Sequence, residues 1–241
     1  MIGALRMQRG RISAAGLLLA LCAAAGLAYL RQHGGGGAHV DPGGAQRDAA
    51  RADATRTVPY DYFLLSLSWS PSYCLAHADD RAQCSKGYGF VLHGLWPQDL
   101  DGGYPEHCAG DAPLTAAAAA RGATLFPSPR LMQHEWQTHG RCSGLDALGY
   151  FDAADRALAA VKIPAAFDAP RSDQSMDARD IVAAFRAANP AIPDDGLVVS
   201  CHRAELAEVR VCLSKALEPI ACGRGVHGNC PYVALRIPAA R

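Results

Sequence analysis

The sequence has no excess of charge of either sign, since 23 Lys and Arg residues balance 23 Asp and Glu residues. The balance is uneven along the chain, because 7 of the basic but only 3 of the acidic residues occur up to Thr57. The 16 basic and 20 acidic residues that follow give the rest of the chain a net charge of −4. A domain that binds nucleic acid through a broad basic surface would have the opposite charge. Any contact with nucleic acid must therefore come from a local site.

The N-terminal end carries three arginines, Arg6, Arg9 and Arg11, followed by an apolar run from Ile12 to Leu30. This order is typical of a secretory signal, and the run is also close to the minimum length of a membrane span. We therefore interpret residues 1–28 as a signal peptide or an N-terminal anchor. Residues 29–57 are rich in Gly, Ala and charge, which favours a flexible linker, and residues 58–241 suffice for one domain with its own core. The expected location is periplasmic or secreted, with membrane contact only through an uncleaved N-terminal segment.

The sequence also lacks the C-x-x-C spacing that would be typical of a zinc site. One cysteine, Cys22, lies in the apolar run. The other eight are Cys74, Cys84, Cys108, Cys142, Cys201, Cys212, Cys222 and Cys230. An even number of cysteines behind an export signal predicts four disulfides formed in an oxidising compartment. Their spacing alone leaves the pairing open.

Apolar segments predict strands on both sides of a helical middle region. The predicted strands are Tyr60–Trp69, Gly87–Leu92, Leu197–Cys201, Leu206–Leu213 and Tyr232–Ile237. The predicted helices are 128–140, Asp146–Val161 and Asp177–Ala188, the first of them beginning at the cap Ser128 followed by Pro129. The sequence contains no internal repeat and no sign of a second domain. The pattern indicates a single α+β domain with a central antiparallel β-sheet flanked by helices.

Two short segments concentrate the residues that could carry chemistry. The first is H-G-L-W-P at residues 93–97, and the second is H-E-W-Q-T-H-G-R-C at residues 134–142. On a helix, Glu135 and His139 are four residues apart and share one face, with His134 beside them. His93 comes directly after the predicted strand Gly87–Leu92, where it can face that helix.

Paired imidazoles are suited to cleaving RNA, which carries its own nucleophile in the 2′-hydroxyl. One imidazole removes the hydroxyl proton and another protonates the departing 5′-oxygen, and the ordinary histidine pKa of about 6.5 allows both states. A third, protonated histidine can stabilise the charge that builds on the phosphoryl oxygens. The expected products are a 2′,3′-cyclic phosphate and a 5′-hydroxyl end. DNA has no 2′-hydroxyl and is not expected to be a substrate.

Two other interpretations of these segments remain open. The zinc-protease motif is H-E-x-x-H, whereas this sequence has one more residue between its histidines, which places His134 and His139 about 140° apart on a helix. That arrangement is poor for binding one metal ion, so a zinc metalloenzyme is the weaker alternative and neither a metal nor another cofactor is expected. The other interpretation is that the histidines are structural.

The two segments resemble the active-site segments H-G-L-W-P and H-E-W-x-K-H-G-x-C of the ribonuclease T2 family. The segment Asp61–Cys74 resembles that family's first core strand, and Leu197–Cys201 with Glu208–Cys212 resembles its late strand pair. The resemblance spans residues 58–238. It implies the family's fold and the cleavage of single-stranded RNA without a metal, and we expect a monomer.

The resemblance also assigns roles to individual residues. His93 and His139 would form the acid–base pair, with His93 as the acid and His139 as the base. His134 would hold phosphate, and Glu135 would stabilise the transition state and position the base. It further implies the disulfides Cys74–Cys84, Cys108–Cys142, Cys201–Cys230 and Cys212–Cys222.

Four further residues are expected to contact substrate. Trp96 and Tyr104 match positions that stack on the nucleobase, the alternative for each being an ordinary core aromatic. Gln98 lies where relatives carry an acidic residue or Asn near the base. Thr138 stands where the family commonly has Lys, which removes a cation from the neighbourhood of the phosphoryl group. This departure keeps open a third interpretation, a catalytically weakened secreted RNA-binding protein on the same fold.

Overall fold

The computed structural model describes residues 59–110, 114–168, 170–231 and 233–240, which belong to one compact unit, Thr55–Arg241. The predicted signal or anchor at 1–28 and the predicted linker at 29–57 lie outside the described residues. Within these described ranges, no helix combines the length and the apolar character needed to cross a membrane.

Strands and helices occur in the mixed order expected of an α+β domain. The strands are β1 (Tyr62–Trp69), β2 (Phe90–Gln98), β3 (Gln174–Met176), β4 (Leu197–His202), β5 (Glu205–Leu213) and β6 (Leu235–Ile237). The helices are α1 (Ser70–Ala76), α2 (Arg81–Cys84), α3 (Ala116–Ala123), α4 (Pro129–Thr138), α5 (Ala147–Ala160) and α6 (Ala178–Ala188), with short 3-10 turns at Gly140–Ser143 and Ala165–Phe167.

The strands form one mixed, mostly antiparallel sheet in the order β2-β1-β5-β6-β3, and β4 also pairs with β5. The pairing of β5 with β6 is parallel, and the other pairings are antiparallel. The main core joins Leu65 of β1 to Phe151 of α5 and Phe185 of α6, while Tyr62 and Leu64 of β1 belong to a smaller cluster. Because β1 is buried on both faces, its sequence is a nearly continuous apolar run. The predicted fold class is confirmed, with one parallel pair added to the antiparallel sheet.

The structure differs from the sequence prediction at several boundaries. Strand β2 runs from Phe90 to Gln98, so His93 lies inside a strand, and the prediction that it follows the strand is wrong. Strand β6 begins at Leu235, later than predicted, and Tyr232 lies outside the described residues. The sequence pattern gives no sign of α1, α2 or α3, because α1 and α2 are very short and α3 is nearly all Ala, which favours helix without marking a buried face.

Four disulfides connect segments that the sheet and helices leave apart. Their Cα–Cα distances lie between 5.0 and 5.5 Å, and they join Cys74 to Cys84, Cys108 to Cys142, Cys201 to Cys230 and Cys212 to Cys222. These are the pairs that the resemblance implies. Each contributes about 2–4 kcal/mol to the free energy of unfolding.

Candidate active site

A β-bulge in β2 determines the position of His93. In the pairing of β1 with β2, Ser66 lies opposite Gly94 and Leu67 lies opposite Leu92, so His93 is the extra residue between them. A bulge leaves one residue without a partner, bends the strand and changes the direction of its side chains.

The bulge also explains why side chains three residues apart share a face of β2. Leu92 and Leu95 both lie in the main core, whereas an undisturbed strand would place them on opposite faces. His93 and Trp96 are likewise neighbours, with their ring centroids 5.1 Å apart. The first segment therefore presents an imidazole and an indole side by side.

Helix α4 carries the second segment and is fixed at both ends. The Ser128 hydroxyl accepts a hydrogen bond from the backbone N–H of Leu131 at 3.2 Å, which caps the first turn as the sequence predicts. Met132 and Trp136 pack into the main core, and the disulfide of Cys142 lies just beyond the C-terminal end. The helix therefore has an apolar face with Met132 and Trp136, a buried polar face with Glu135, and a solvent-facing side with His134.

Glu135 is on the buried polar face and forms the centre of the site. Its side chain is only 1% exposed, and its Oε1 lies 3.8 Å from Nε2 of His93. Its Oε2 accepts a hydrogen bond from Nε1 of Trp96 at 2.7 Å, whereas Oε1 has no hydrogen-bond partner among the described residues. Burial raises the pKa of Glu135 to about 7, against the lowering effects of His93 and of the Trp96 hydrogen bond. The carboxyl group therefore keeps its proton at mildly acidic pH.

Gly94 is required by this close packing. A Cβ atom at this position would overlap Oε2 of Glu135 and Nε1 of Trp96. Only glycine lets the backbone of β2 approach the hydrogen bond between those two side chains.

His93 has two carboxyl groups beside it, one on each side of the ring. Its Nδ1 lies 2.5 Å from Oε1 of Glu208 in β5, and Arg210 binds the other carboxylate oxygen of Glu208 through Nε at 2.7 Å and Nη2 at 2.6 Å. Burial lowers the pKa of His93, but the hydrogen bond and charge of Glu208 and the charge of Glu135 outweigh it, so the net shift is upward. Burial would raise the pKa of Glu208, yet His93 and Arg210 lower it to about 2.

The sequence analysis did not identify Glu208 and Arg210 as functional residues. They are two apart in a strand and therefore on the same face, and they have opposite charges in a segment that is otherwise mostly apolar. That pattern is the signal that could have identified them.

His139 is the C-terminal cap of α4, and its backbone N–H donates to the carbonyl oxygen of Glu135 at 3.0 Å. Burial lowers the pKa of its imidazole to about 4, with further lowering by the positive charges of His134, His93 and His107. Its Nδ1 is buried without a hydrogen-bond partner in the described part of the chain. The ring is therefore neutral over most of the pH range, with Nε2 as its outward nitrogen.

The two aromatic candidates lie beside His139. The Trp96 ring is 5.3 Å from the His139 ring, and the Tyr104 ring is 6.3 Å from it. Tyr104 is 53% exposed, so the structure gives it a free face rather than a place in the core. Trp96 is half-buried, its Nε1 is bound to Glu135, and the guanidinium of Arg210 lies 5.4 Å from its ring centroid.

The remaining predicted site residues, His134, Thr138 and Gln98, differ in their exposure and in their contacts. His134 is exposed on α4, with its ring 6.5 Å from that of His139. Thr138 is buried, and its hydroxyl lies 3.4 Å from Nδ1 of His134, so it contacts that histidine. Gln98 is 6% exposed, and its amide donates to the carbonyl oxygen of Pro97 at 3.0 Å.

The side chains do not gather as metal ligands. Within the described ranges, no group of three or more His, Cys, Asp or Glu residues has an arrangement that could hold a metal ion. The ring centroids of His134 and His139 are 6.5 Å apart, and the rings are nearly perpendicular, at 88°.

Comparison with known proteins identifies the family to which the chain belongs. Residues 60–222 match the Ribonuclease T2 family. A ribonuclease of Aeromonas hydrophila is 50% identical over 86 residues, which cover 36% of this chain and 39% of that protein. A probable ribonuclease of Haemophilus influenzae is 28% identical over 180 residues, which cover 68% of this chain and 61% of that protein. The chain thus spans less than two thirds of the length of these relatives.

Solved structures share the fold at lower identity. An RNase-related protein from Calystegia sepium has a TM-score of 0.62 at 21% identity, with 76% of this chain and 98% of that chain covered. RNase NT, solved in complex with 5′-AMP, has a TM-score of 0.57 at 24% identity, with 75% and 99% covered. The family match includes both active-site segments and most of the chain, and we conclude that the chain belongs to the ribonuclease T2 family.

Proposed function

We propose that the chain is an exported endoribonuclease that cleaves single-stranded RNA by transesterification, with His93 as the acid, His139 as the base and no metal. The observation that carries this proposal is a pair of imidazoles in unlike surroundings: both rings lie against Trp96, with centroids 5.1 and 5.3 Å away. His93 contacts the carboxylate of Glu208, whereas Nδ1 of His139 is buried without a hydrogen-bond partner among the described residues. These surroundings move the pKa upward at His93 and down to about 4 at His139. An acid must hold a proton at the pH where the base has lost one. This pair meets both conditions at mildly acidic pH.

The proposed reaction uses the Nε2 atoms of the two histidines. Nε2 of His139 takes the proton of the 2′-hydroxyl, and the oxygen attacks the adjacent phosphorus. The bond from phosphorus to the 5′-oxygen then breaks, and Nε2 of His93 delivers its proton to that oxygen. The products are a 2′,3′-cyclic phosphate and a 5′-hydroxyl end, and DNA is inert because it lacks the nucleophile.

Glu135 and His134 stabilise charge on the phosphoryl oxygens. With its pKa raised to about 7, Glu135 is a neutral acid at pH 5, so the carboxyl group beside His93 adds no negative charge that would repel the phosphate. His134 is exposed beside it and supplies a positive charge when protonated. Thr138 acts through its contact with His134, in place of the lysine of other members.

Surfaces that could bind single-stranded RNA lie on both sides of the histidines. Trp96 and Tyr104 offer aromatic faces for a base near His139, and the buried Gln98 is the last residue of the strand that carries Trp96. A cavity of about 570 Å³ is lined by His93, His134 and the Tyr73–His77 pair, whose rings stack 4.2 Å apart. Splayed single-stranded bases suit such surfaces, whereas a rigid duplex does not.

The four disulfides support an oxidising location, periplasmic or secreted. Reduction of these bonds would be expected in the cytosol. All the residues with proposed roles belong to one copy of the chain, and we expect the monomer to be active.

The test is cleavage of a single-stranded RNA oligonucleotide by the purified, oxidised protein in excess EDTA. We expect cyclic-phosphate ends from the wild type and none from His93→Phe or His139→Phe. His227→Phe is the matched control, because His227 is exposed and outside the site, and it should remain fully active.

Three outcomes would contradict the proposal in different ways. Loss of wild-type activity in EDTA would favour a metalloenzyme. Tight RNA binding without any cleavage would favour an RNA-binding protein on a nuclease fold. Full activity of both site variants would mean that the histidines are structural.

A further inference from the structure

Glu208 is a buried acid in the middle of β5 that takes no direct part in the proposed reaction. Glu208 is 8% exposed and lies in register with Ser68 of β1 and Ser200 of β4. Burying a carboxylate in a central strand is unfavourable unless its charge is paired and its oxygens are hydrogen-bonded.

The oxygens of Glu208 are fully occupied. Oε1 accepts from Nδ1 of His93 at 2.5 Å and from the Ser68 hydroxyl at 3.4 Å. Oε2 accepts from two nitrogens of Arg210 at 2.7 and 2.6 Å. An ionised carboxylate can only accept hydrogen bonds, so the proton in the contact with His93 belongs to Nδ1 of the imidazole.

We propose that Glu208, held in place by Arg210, is the positioning residue for His93: it fixes the Nδ1–H tautomer, directs Nε2 at the departing 5′-oxygen and keeps the ring protonated until transfer. This inference rests on the proposed function of His93 as the acid. Arg210 binds Glu208 and also lies over the Trp96 ring, so β5 supports both His93 and Trp96.

The charged neighbours of His93 predict opposite effects for two substitutions. Glu208 and Arg210 face it from β5, Glu135 faces it from α4, and His139 lies close enough for its pKa to be lowered by His93. Glu208 raises the pKa of His93 and Arg210 lowers it. Glu208→Gln keeps an acceptor oxygen but removes the charge, so the pKa of His93 falls. Arg210→Met removes the opposing cation, so the pKa of His93 rises.

The first measurement is the pH dependence of kcat on RNA. The alkaline limb reports the loss of the acid's proton, so it should move to lower pH in Glu208→Gln and to higher pH in Arg210→Met. At a pH above the limb, kcat of Glu208→Gln falls about tenfold for each unit by which the pKa falls. Glu218→Gln is the control, because it removes an exposed glutamate outside the site, and it should leave the profile unchanged.

A second substrate separates positioning from a general structural role. A nucleoside 3′-(4-nitrophenyl phosphate) expels a leaving group that needs no protonation, so cleavage of this ester does not depend on the acid. Glu208→Gln should therefore lose kcat on RNA but retain most of it on the aryl ester, with similar KM values. Equal losses on both substrates, or a limb that does not move in either variant, would overturn the role of Glu208.

Histidine-labelled protein gives a readout that does not depend on turnover. The nitrogen shifts of His93 should identify the Nδ1–H tautomer when the ring is neutral, and its titration should move downward in Glu208→Gln. A neutral ring with the proton on Nε2 would overturn the inference even if the enzyme is active. Full activity of His93→Phe would overturn the proposed function itself, whereas an inactive His93→Phe with an unaltered Glu208→Gln would overturn only the role of Glu208.

Discussion

Replacing Glu135 with Gln should change the stability of the protein in a way that depends on pH. The carboxyl group is 1% exposed, and its pKa rises from 4.5 to about 7 in the folded state. Glutamine has nearly the same shape and can still accept the Trp96 hydrogen bond, but it does not titrate. The difference between the two proteins therefore isolates the titration of one buried group.

The sign and size follow from proton linkage. Below pH 4.5 the carboxyl group is protonated in both the folded and unfolded states, so its full contribution to stability is present. As the pH rises, the unfolded chain loses this proton first, and the contribution is lost progressively until the pH passes the folded pKa of about 7. A shift of about 2.5 units at 1.36 kcal/mol per unit corresponds to about 3 kcal/mol.

The assay is urea unfolding of both oxidised proteins at pH 4.5 and pH 7.5. We expect Glu135→Gln to gain about 3 kcal/mol relative to the wild type between those two values. His139→Phe should show the opposite trend, because a histidine with a lowered pKa loses stability as the pH falls. A constant difference between wild type and Glu135→Gln would refute the claim that Glu135 is neutral in the folded protein, and with it the claim that this residue adds no charge that repels the phosphate.

Three further substitutions test separate contacts of the site. Trp96→Phe keeps an aromatic face but removes the hydrogen bond to Glu135, so kcat should fall roughly tenfold while KM changes little; a rise in KM alone would mean that Trp96 serves only in stacking. Thr138→Val removes the hydroxyl beside the exposed histidine of α4, and KM for RNA should rise roughly threefold, an effect that an unchanged KM would exclude. Replacing Cys108 and Cys142 with Ala frees the end of α4, so activity should be lost while near-ultraviolet circular dichroism stays native; simultaneous loss of both signals would contradict this.

The positions of the main elements could be predicted because their signals are local. The cap at Ser128 and the apolar segment Leu197–Cys201 each lie within a few residues, and the structure confirms the start of α4 and the strand β4 that they predict. The histidines of the two segments could be identified for the same reason, since each segment combines several chemically active residues in a short stretch.

Long-range geometry could not be predicted in this way. The bulge at His93 depends on the register of β1 against β2, which a single strand's sequence does not contain. The contact between His93 and Glu208 joins residues 115 positions apart. The pKa values of Glu135 and His139 depend on burial by several elements at once. The sequence alone therefore predicts only the ordinary pKa values of a glutamate and a histidine.

His93 therefore lies between two carboxyl groups that the fold keeps in opposite protonation states. Glu208 is ionised because Arg210 and His93 compensate the cost of burying its charge. Glu135 is neutral at mildly acidic pH because its single hydrogen bond from the Trp96 indole does not compensate that cost. With His93 protonated and His139 neutral, the charges of His93, Arg210 and Glu208 leave a local excess of one positive charge before His134 is counted. This answers the difficulty raised by the overall charge of −4 after Thr57, because the phosphate is attracted by a few groups at the site. Lowering the pH from 7 to 5 strengthens that attraction by protonating Glu135, whose pKa is raised to about 7. Binding of RNA to the inactive His139→Phe variant should accordingly tighten from pH 7 to pH 5 and weaken with added salt.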